Sequence, residues 1–220
     1  MLSAKNHSTL RRKMVQNQIE ARGIHDPQIL AVMRKVERHL FVKSQYRNVA
    51  YKDGPLPIGC DQTISQPYIV ALMTDLLALT PTSKVLEIGT GCGYQTAILA
   101  ELAKEVYSVE IIPVLAKRAK TRLEKLNYRN VHFKKGNGHY GWQEYAPYDA
   151  ILVAAAPKDV PERLIQQLAM GGRMVIPVGD AEQNLLLIRK DFQTEKNATP
   201  SIQTSGITPV SFVPMTGESK

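Results

Sequence analysis

The chain has 220 residues, of which 44% are hydrophobic, and a formal net charge of +8 at pH 7. This length and composition predict a globular protein with a substantial core, and they exclude collagen-like, low-complexity and disulfide-rich chains. The sequence has two cysteines, no apolar run that could span a membrane and no apolar signal segment, so we expect a reducing, cytoplasmic location and no membrane partner.

Positive charge is concentrated at the start of the chain. Residues 1–50 contain ten Lys and Arg residues against three acidic residues, a local balance of +7. Such a segment can attract RNA or other anions. Because aromatic residues are not interleaved with these charges, a solvated helix face is the favoured interpretation, and we do not expect a nucleic-acid partner.

The first predicted elements are two helices. Apolar residues recur at helical spacing through residues 8–22, and Gly23 ends this segment. Asp26 and Pro27 form an N-cap and first-turn pair that starts a second helix. Glycine and proline are frequent within residues 41–62, which predicts a long irregular loop over the surface.

A serine precedes the next predicted helix. Residues 62–67 read Gln-Thr-Ile-Ser-Gln-Pro and lead into an amphipathic segment, so Ser65 occupies an N-cap position. Capping alone would explain this serine. Alternatively, hydroxyl and amide groups at the helix start bind an anion such as a substrate carboxylate. The residues alone do not decide between these two roles.

The rest of the chain alternates predicted strands and helices. The strands are residues 84–88, 105–109, 131–134, 149–154, 173–178, 185–190 and 207–213, and the helices are residues 94–103, 112–126 and 161–169. This alternation predicts an α/β domain with a mostly parallel sheet and helices on both faces. No helix separates the last two strands, so we expect an antiparallel end. The polar segments 196–205 and 216–220 are predicted to be mobile.

We expect one domain over residues 1–220, with residues 1–62 as a helical cap and loop on a core of residues 63–220. The centre of that core is a glycine-rich turn after the first core strand. Gly89, Gly91 and Gly93 alternate there and let the backbone approach a ligand closely. A dinucleotide site usually has the spacing G-x-G-x-x-G and binds a pyrophosphate. Here Glu87 ends the strand, and a carboxylate favours a cationic ligand, which argues against a nicotinamide dehydrogenase.

A second acid and a turn complete the predicted cofactor site. Glu110 closes the next strand, about twenty residues after the glycines, where an acid can bind ribose hydroxyls. Asn137 and Gly138 follow the third strand, and Asn137 could accept a hydrogen bond from an adenine amino group or simply form a turn. Together these residues favour S-adenosylmethionine, against the alternative of an ordinary glycine-rich turn. The five histidines lack metal-ligand spacing, so we expect no metal.

These motifs resemble the protein-L-isoaspartate O-methyltransferases over nearly the whole chain. The residues that carry the resemblance are 56–59, 62–67, 85–95, 136–138, 171–179 and 210–214. The glycine motif by itself indicates a methyltransferase. The segment 62–67 is far more specific and favours a functional role for Ser65.

The resemblance implies a Rossmann-like class I methyltransferase fold with seven strands and a rearranged C-terminal order. It implies transfer of a methyl group from S-adenosylmethionine to the free carboxylate of L-isoaspartyl or D-aspartyl residues in damaged proteins and peptides. The methyl ester starts repair through a succinimide. The implied cofactor residues are Glu87, Gly89, Thr90, Gly91, Cys92, Gly93, Glu110, Asn137 and Gly138. Ser65 and Thr63 are the implied catalytic residues, and Ile64, Ser65, Val210, Ser211 and Phe212 the implied substrate-binding residues. We also expect a monomer.

Three residues depart from the family pattern. Asn137 replaces the usual Asp, Asp61 replaces a glycine and Cys92 replaces a serine. Asp61 remains compatible with a left-handed backbone, which Asp tolerates better than most residues. Two alternatives stay open: a methyltransferase with another acceptor such as RNA, and a cofactor-binding protein that has lost turnover.

Overall fold

The structure is a computed structural model that describes residues 4–191 and 201–217. The helices are α1 (Ala4–Met14), α2 (Pro27–Lys35), α3 (Pro67–Leu76), α4 (Tyr94–Leu102), α5 (Pro113–Lys125) and α6 (Glu162–Gln167). The strands are β1 (Leu56–Gly59), β2 (Gln62–Ile64), β3 (Lys84–Ile88), β4 (Glu105–Glu110), β5 (Val131–Lys135), β6 (Tyr148–Val153), β7 (Leu168–Gly179), β8 (Gln183–Asp191) and β9 (Ser201–Val210).

A seven-stranded sheet with the order β5-β4-β3-β6-β7-β8-β9 forms the core. The neighbours from β5 to β7 are parallel, whereas β8 pairs antiparallel with both β7 and β9. This arrangement confirms the mostly parallel sheet and its antiparallel end. From β3 the chain first moves outward to β4 and β5, and it then returns to the other side of β3 with β6. Such a reversal opens a crevice at the carboxyl ends of the strands.

The central strands are apolar because both of their faces are covered. Val85 of β3 packs in a cluster with residues of α3 and α4, whereas Leu86 and Ile88 pack on the opposite face with Leu164 of α6. Alternate residues of one strand therefore enter two different cores, which requires a continuous apolar run rather than an alternating one. This packing fixes β3 rigidly below the glycine turn that follows it.

The N-terminal helices form a cap that shares a core with helices α3, α4 and α5. Helix α1 continues through a π-helical turn, Val15–Ile19, and a 3-10 turn, Glu20–Arg22, before Gly23 ends it at φ +94°. In α2, the Asp26 carboxylate accepts the backbone N–H groups of Gln28 at 2.7 Å and Ile29 at 3.1 Å, which confirms the predicted N-cap. Cap residues such as Ile19 are buried in the same cluster as residues of α4 and α5.

The prediction of a long irregular loop over residues 41–62 is wrong. Residues 56–59 of this segment form strand β1, which pairs with β2 (Gln62–Ile64) in a hairpin, and Phe41, Ala50 and Tyr51 are buried. The hairpin turn consists of Cys60 and Asp61, both at φ +54°. Such turns are usually signalled by Asn-Gly or Asp-Gly, a pattern that this sequence lacks. Strand β2 also runs across the boundary expected between residues 62 and 63.

The last strand also differs from its prediction. Strand β9 begins at Ser201, before the predicted start at residue 207, and Ser201 to Ser205 pair with β8. These residues were predicted to be mobile because they are polar, but an edge strand can expose polar side chains while its backbone is paired. Residues 196–200 and 218–220 of that prediction lie outside the described residues, and the mobility of residues 216–217 stays a prediction. No described helix combines the length and apolar character needed to cross a membrane.

Candidate active site

The glycine turn after β3 depends on backbone conformations that favour glycine. Gly89, Gly91 and Gly93 have φ values of +92°, +54° and +87°. A side chain at any of these positions would strain the backbone. Gly93 is also the N-cap of α4, so the turn passes directly from the end of β3 into a helix. The alternating glycines of the sequence therefore reflect three separate left-handed residues.

A cavity with about 800 Å³ of empty space, part of it open to solvent, lies against this turn. Its walls come from the β1–β2 hairpin, the ends of β3 and β4, and the segments after β6 and β9. Of the predicted cofactor residues, Gly89, Thr90, Gly91, Cys92, Glu110 and Gly138 line it. The cavity thus occupies the crevice that the strand order creates.

Glu110 is held rigidly at the cavity wall. It is buried, and its carboxylate accepts the backbone N–H of Gly91 at 2.8 Å and that of Ile112 at 2.9 Å. A carboxylate oxygen has two lone pairs, so each oxygen can accept one further hydrogen bond from a ligand. The arrangement orients Glu110 to receive two hydroxyl groups.

Glu87 lies behind the turn, and it is not among the cavity-lining residues. Its carboxylate is fully buried and accepts hydrogen bonds from Thr96 at 2.6 Å and Ser108 at 2.5 Å. Ser108 also pairs with the hydroxyl of Thr90 at 2.6 Å, so the network joins β3, the glycine turn, β4 and α4. Burial raises the pKa of Glu87 to about 8, and its Oε1 atom has no partner within the described structure.

The charges of the cavity fit S-adenosylmethionine better than a dinucleotide. Glu110 is the single charged side chain among the described lining residues. A pyrophosphate would therefore meet a carboxylate and no compensating Lys or Arg. S-adenosylmethionine has no phosphate, and it carries a ribose diol and positive groups. The hydroxyl-accepting geometry of Glu110 is consistent with such a ligand, whereas Glu87 does not line the cavity.

Gly138 and Asn137 have different positions at the cavity edge. Gly138 lines the cavity, where a Cβ atom would collide with the side chain of Ile88 and lie 2.8 Å from the Met215 Cε. Asn137 precedes it, and its Oδ1 accepts the backbone N–H of His139 at 3.0 Å. Asn137 therefore stabilises the turn that presents Gly138, and it is not among the lining residues.

A second cleft adjoins the cofactor cavity and shares Thr63, Ser65, Ala154 and Val213 with it. The predicted substrate residues Val210, Ser211 and Phe212 also line this cleft. Ile64, which was also predicted to bind the substrate, is buried and lines the cofactor cavity but not the second cleft. The structure thus places Thr63 and Ser65 at the junction of the two spaces, where groups bound on either side would meet.

The structure also separates the two roles considered for Ser65. The N-cap of α3 is Gln66, and no side chain caps this helix. Within the described residues the Ser65 hydroxyl makes no hydrogen bond, so helix capping does not account for it. Gln66 instead donates to the Asp53 carboxylate at 2.8 Å, and Asp53 pairs with Arg22 of the cap at 3.4 Å. The cap therefore holds the segment that carries Ser65.

Sequence analysis named Ser211 and Phe212 as substrate-binding residues, but it missed the wall of the cofactor cavity that follows them. We call residues 211–217 the C-terminal strap; its residues Val213, Pro214, Met215 and Thr216 line the cofactor cavity, while residues 211–213 line the second cleft. The Gln183 side chain accepts the Phe212 N–H at 2.7 Å and donates to the Phe212 carbonyl at 3.1 Å. Met215 donates its N–H to the Ala156 carbonyl at 2.7 Å. No local sequence pattern indicates the hydrogen bonds of Gln183 to Phe212 or of Met215 to Ala156.

Two of the departures from the family pattern have simple structural settings. Asp61 occupies a left-handed position of the hairpin turn, as its replacement of a glycine suggested. Cys92 is buried, and burial raises the pKa of its thiol, which disfavours the reactive thiolate. Among the described residues, no group of three or more His, Cys, Asp or Glu side chains could hold a metal ion.

Comparison with known proteins identifies the family of this chain. The family model for protein-L-isoaspartate(D-aspartate) O-methyltransferase matches residues 9–220. A protein-L-isoaspartate O-methyltransferase of a Picosynechococcus species is 55% identical over 213 residues, which cover 96% of this chain and 91% of that protein.

Solved structures give the same result. One protein-L-isoaspartate O-methyltransferase superposes with a TM-score of 0.84 at 30% identity and covers 94% of this chain and 66% of that one. A candidate enzyme of the same kind from Plasmodium falciparum, solved with S-adenosyl-L-homocysteine, has a TM-score of 0.77 at 26% identity and covers 94% and 98% of the two chains. The fold, the site and these matches together show that the chain belongs to the protein-L-isoaspartate(D-aspartate) O-methyltransferase family.

Proposed function

We propose that this protein transfers the methyl group of S-adenosylmethionine to the free carboxylate of L-isoaspartyl residues in damaged proteins and peptides. The observation that carries the proposal is the position of Thr63 and Ser65, which line both the cofactor cavity and the adjoining cleft. A methyl donor on one side and a peptide carboxylate on the other would meet at these residues. The resulting methyl ester starts repair through a succinimide.

This reaction requires alignment more than acid–base chemistry. The sulfonium of S-adenosylmethionine supplies an activated methyl group, and the acceptor carboxylate is ionised at neutral pH. Holding two reactants in line can lower a barrier by roughly 7–11 kcal/mol in well-oriented cases. A site without a general base is therefore sufficient, which agrees with the neutral side chains at the junction of cavity and cleft.

Each group of site residues has a separate part in this proposal. Glu110 accepts the ribose hydroxyls, and Gly138 leaves room for the adenine at the cavity edge. The Ser65 hydroxyl donates a hydrogen bond to the acceptor carboxylate and orients one oxygen toward the methyl group. Residues 210–212 bind the substrate peptide along the cleft.

Three further points belong to the proposal. D-aspartyl residues are a second substrate, since their side-chain carboxylate can take the same position. The protein acts as a monomer, which light scattering after gel filtration would test. Its location is the cytoplasm, where the exposed Cys60 thiol and the buried Cys92 thiol would stay reduced.

The decisive assay uses S-adenosylmethionine labelled in its methyl group and two peptides that differ in one residue, aspartate or isoaspartate. Base-released methanol reports a carboxyl methyl ester. Release from the isoaspartyl peptide alone would support the proposal. Release from neither peptide, with cofactor binding intact, would contradict it and favour an RNA acceptor or a protein without turnover.

Ser65→Ala provides the first mutational test. We expect kcat/KM for the isoaspartyl peptide to fall roughly 10- to 100-fold, because a hydrogen bond to a charged group contributes about 1.5–3 kcal/mol. Cofactor affinity, measured by calorimetry, should stay within about twofold, with Ser44→Ala on an exposed 3-10 turn as the control. Full turnover of Ser65→Ala at limiting peptide would remove Ser65 from the mechanism.

A further inference from the structure

A groove whose charged side chains are all positive runs along α5, on the outer side of the glycine turn. We call it the basic groove. Its cations are Lys43, Lys117, Arg118, Arg122 and Lys125, and its apolar floor is Leu40, Val114 and Leu126. Val114 is 48% exposed, which is high for an aliphatic side chain of this size. The groove therefore combines unshielded positive charge with accessible apolar surface.

None of these five cations forms an ion pair with a described residue, and no acidic side chain lines the groove. Some basic residues elsewhere are paired: Lys120 of the same helix lies 4.0 Å from Glu124, and Arg11, Arg34 and Lys35 pair with acids in or beside the cap. Like charges four residues apart, as at Arg118 and Arg122, weaken an isolated helix. The groove thus keeps an unfavourable cluster of positive charges that no described acidic side chain compensates.

The inner end of the groove is preorganised and adjoins the active site. The Arg122 guanidinium donates a hydrogen bond to the Cys92 carbonyl at 2.6 Å, and this bond holds the Arg122 side chain against the glycine turn. Ile58, Gly91 and Cys92 line both this end of the groove and the cofactor cavity. Ile58 belongs to the β1–β2 hairpin, and β2 leads directly to Ser65. A polypeptide in the cleft could therefore pass around the hairpin into the groove.

We propose that the basic groove binds an acidic segment of the same polypeptide whose isoaspartyl residue occupies the active site. The carboxylates of the segment would pair with the five cations, and its apolar residues would cover Leu40 and Val114. Groove contacts would raise the local concentration of the damaged residue at the cleft. RNA fits less well, because single strands are bound on exposed aromatic rings and this floor is aliphatic. This inference rests on the proposed function.

The test compares two isoaspartyl peptides, one extended at either end by a flexible linker and a Glu- and Leu-containing segment, the other extended by the linker alone. For the wild-type protein at low salt, we expect kcat/KM to be about tenfold higher for the acidic peptide, through a lower KM. Lys117→Gln with Lys125→Gln should remove most of this preference. The same variant should methylate the peptide without the acidic segment at the wild-type rate. Lys104→Gln with Lys120→Gln changes the net charge equally and should leave both peptides unaffected.

The outcomes distinguish a failure of the groove inference from a failure of the proposed methyl transfer. Equal kcat/KM for the two peptides, or equal losses in the groove variant and its control, would overturn the inference. Tighter groove-dependent binding of oligouridylate than of the acidic peptide would also overturn it in favour of RNA. If the peptide without the acidic segment is not methylated, the proposed function fails by itself. Anisotropy of the labelled acidic segment, with and without the groove substitutions, then still tests the groove.

Discussion

At the scale of single residues, Glu87 shows how the glycine turn is supported from behind. Its carboxylate links Thr96 and Ser108 through hydrogen bonds, yet it forms no ion pair within the described residues. Burial in low-dielectric surroundings disfavours the ionised form, and the nearby Glu110 carboxylate acts in the same direction. The Glu87 side chain therefore links the strand and the helix around the glycine turn, and its protonated form stabilises the fold most.

The raised pKa of Glu87 predicts that the stability of the folded protein depends on pH. The pKa of Glu87 rises from 4.5 to about 8 on folding, so the folded state keeps a proton that the unfolded state releases between these values. The free energy of unfolding should therefore decrease as the pH rises from about 4.5 to about 8, by on the order of a few kcal/mol. Glu87→Gln cannot ionise and should lack this decrease. Urea unfolding of the cofactor-free wild type and variant at a series of pH values measures the free energy of unfolding.

The control for this experiment is Glu124→Gln on the exposed side of α5, which should follow the wild-type pH curve. Parallel curves for Glu87→Gln and the wild type would show that Glu87 does not titrate in the folded protein in this range.

At the scale of elements, the C-terminal strap connects the two halves of the site. One continuous segment lines the second cleft and then the cofactor cavity, and Gln183 holds its Phe212 backbone by two hydrogen bonds. Substrate binding and cofactor binding are therefore expected to depend on the same anchor, although Gln183 touches neither space directly.

Gln183→Leu tests this coupling. The substitution preserves the approximate size of the side chain and leaves the Phe212 N–H and carbonyl without partners, which costs about 1–3 kcal/mol. We expect both the KM for the isoaspartyl peptide and the dissociation constant of S-adenosyl-L-homocysteine to rise roughly 5- to 50-fold. Gln166→Leu, on the exposed face of α6, is the control. A change in one constant without the other would show that the strap does not couple the two sites.

At the scale of the whole molecule, the cofactor cavity joins distant parts of the chain. The β1–β2 hairpin, the ends of β3 and β4, and the C-terminal strap all contribute walls. The cap reaches the same region through Arg22, whose guanidinium lies 3.5 Å from the centre of the Tyr68 ring. A bound ligand should therefore stabilise the fold globally rather than one loop.

We expect S-adenosyl-L-homocysteine at 100 times its dissociation constant to raise the free energy of unfolding by about 2.7 kcal/mol. Glu110→Gln should lose most of this gain at the same ligand concentration, because its side chain accepts fewer ligand hydroxyls. Hydrogen exchange should slow in both the hairpin and the strap when ligand is added. Slowing at the glycine turn alone would contradict a global effect.

The sequence by itself determined the class of fold, the cofactor and the family. Alternating apolar strands and amphipathic helices require an α/β sheet, and three glycines between Glu87 and α4 require a turn that a side chain would strain. These signals are local: each depends on residues that are neighbours in the chain, so it can be recognised without knowledge of the fold.

The tertiary structure alone decided how the site is assembled. The free hydroxyl of Ser65, the strap over the cofactor cavity, the Gln183 anchor and the basic groove all depend on contacts between residues far apart in sequence. The β1–β2 hairpin was missed because Cys60 and Asp61 adopt left-handed conformations without a glycine. Such features result from packing free energy summed over many contacts, and no local pattern of residues records that sum.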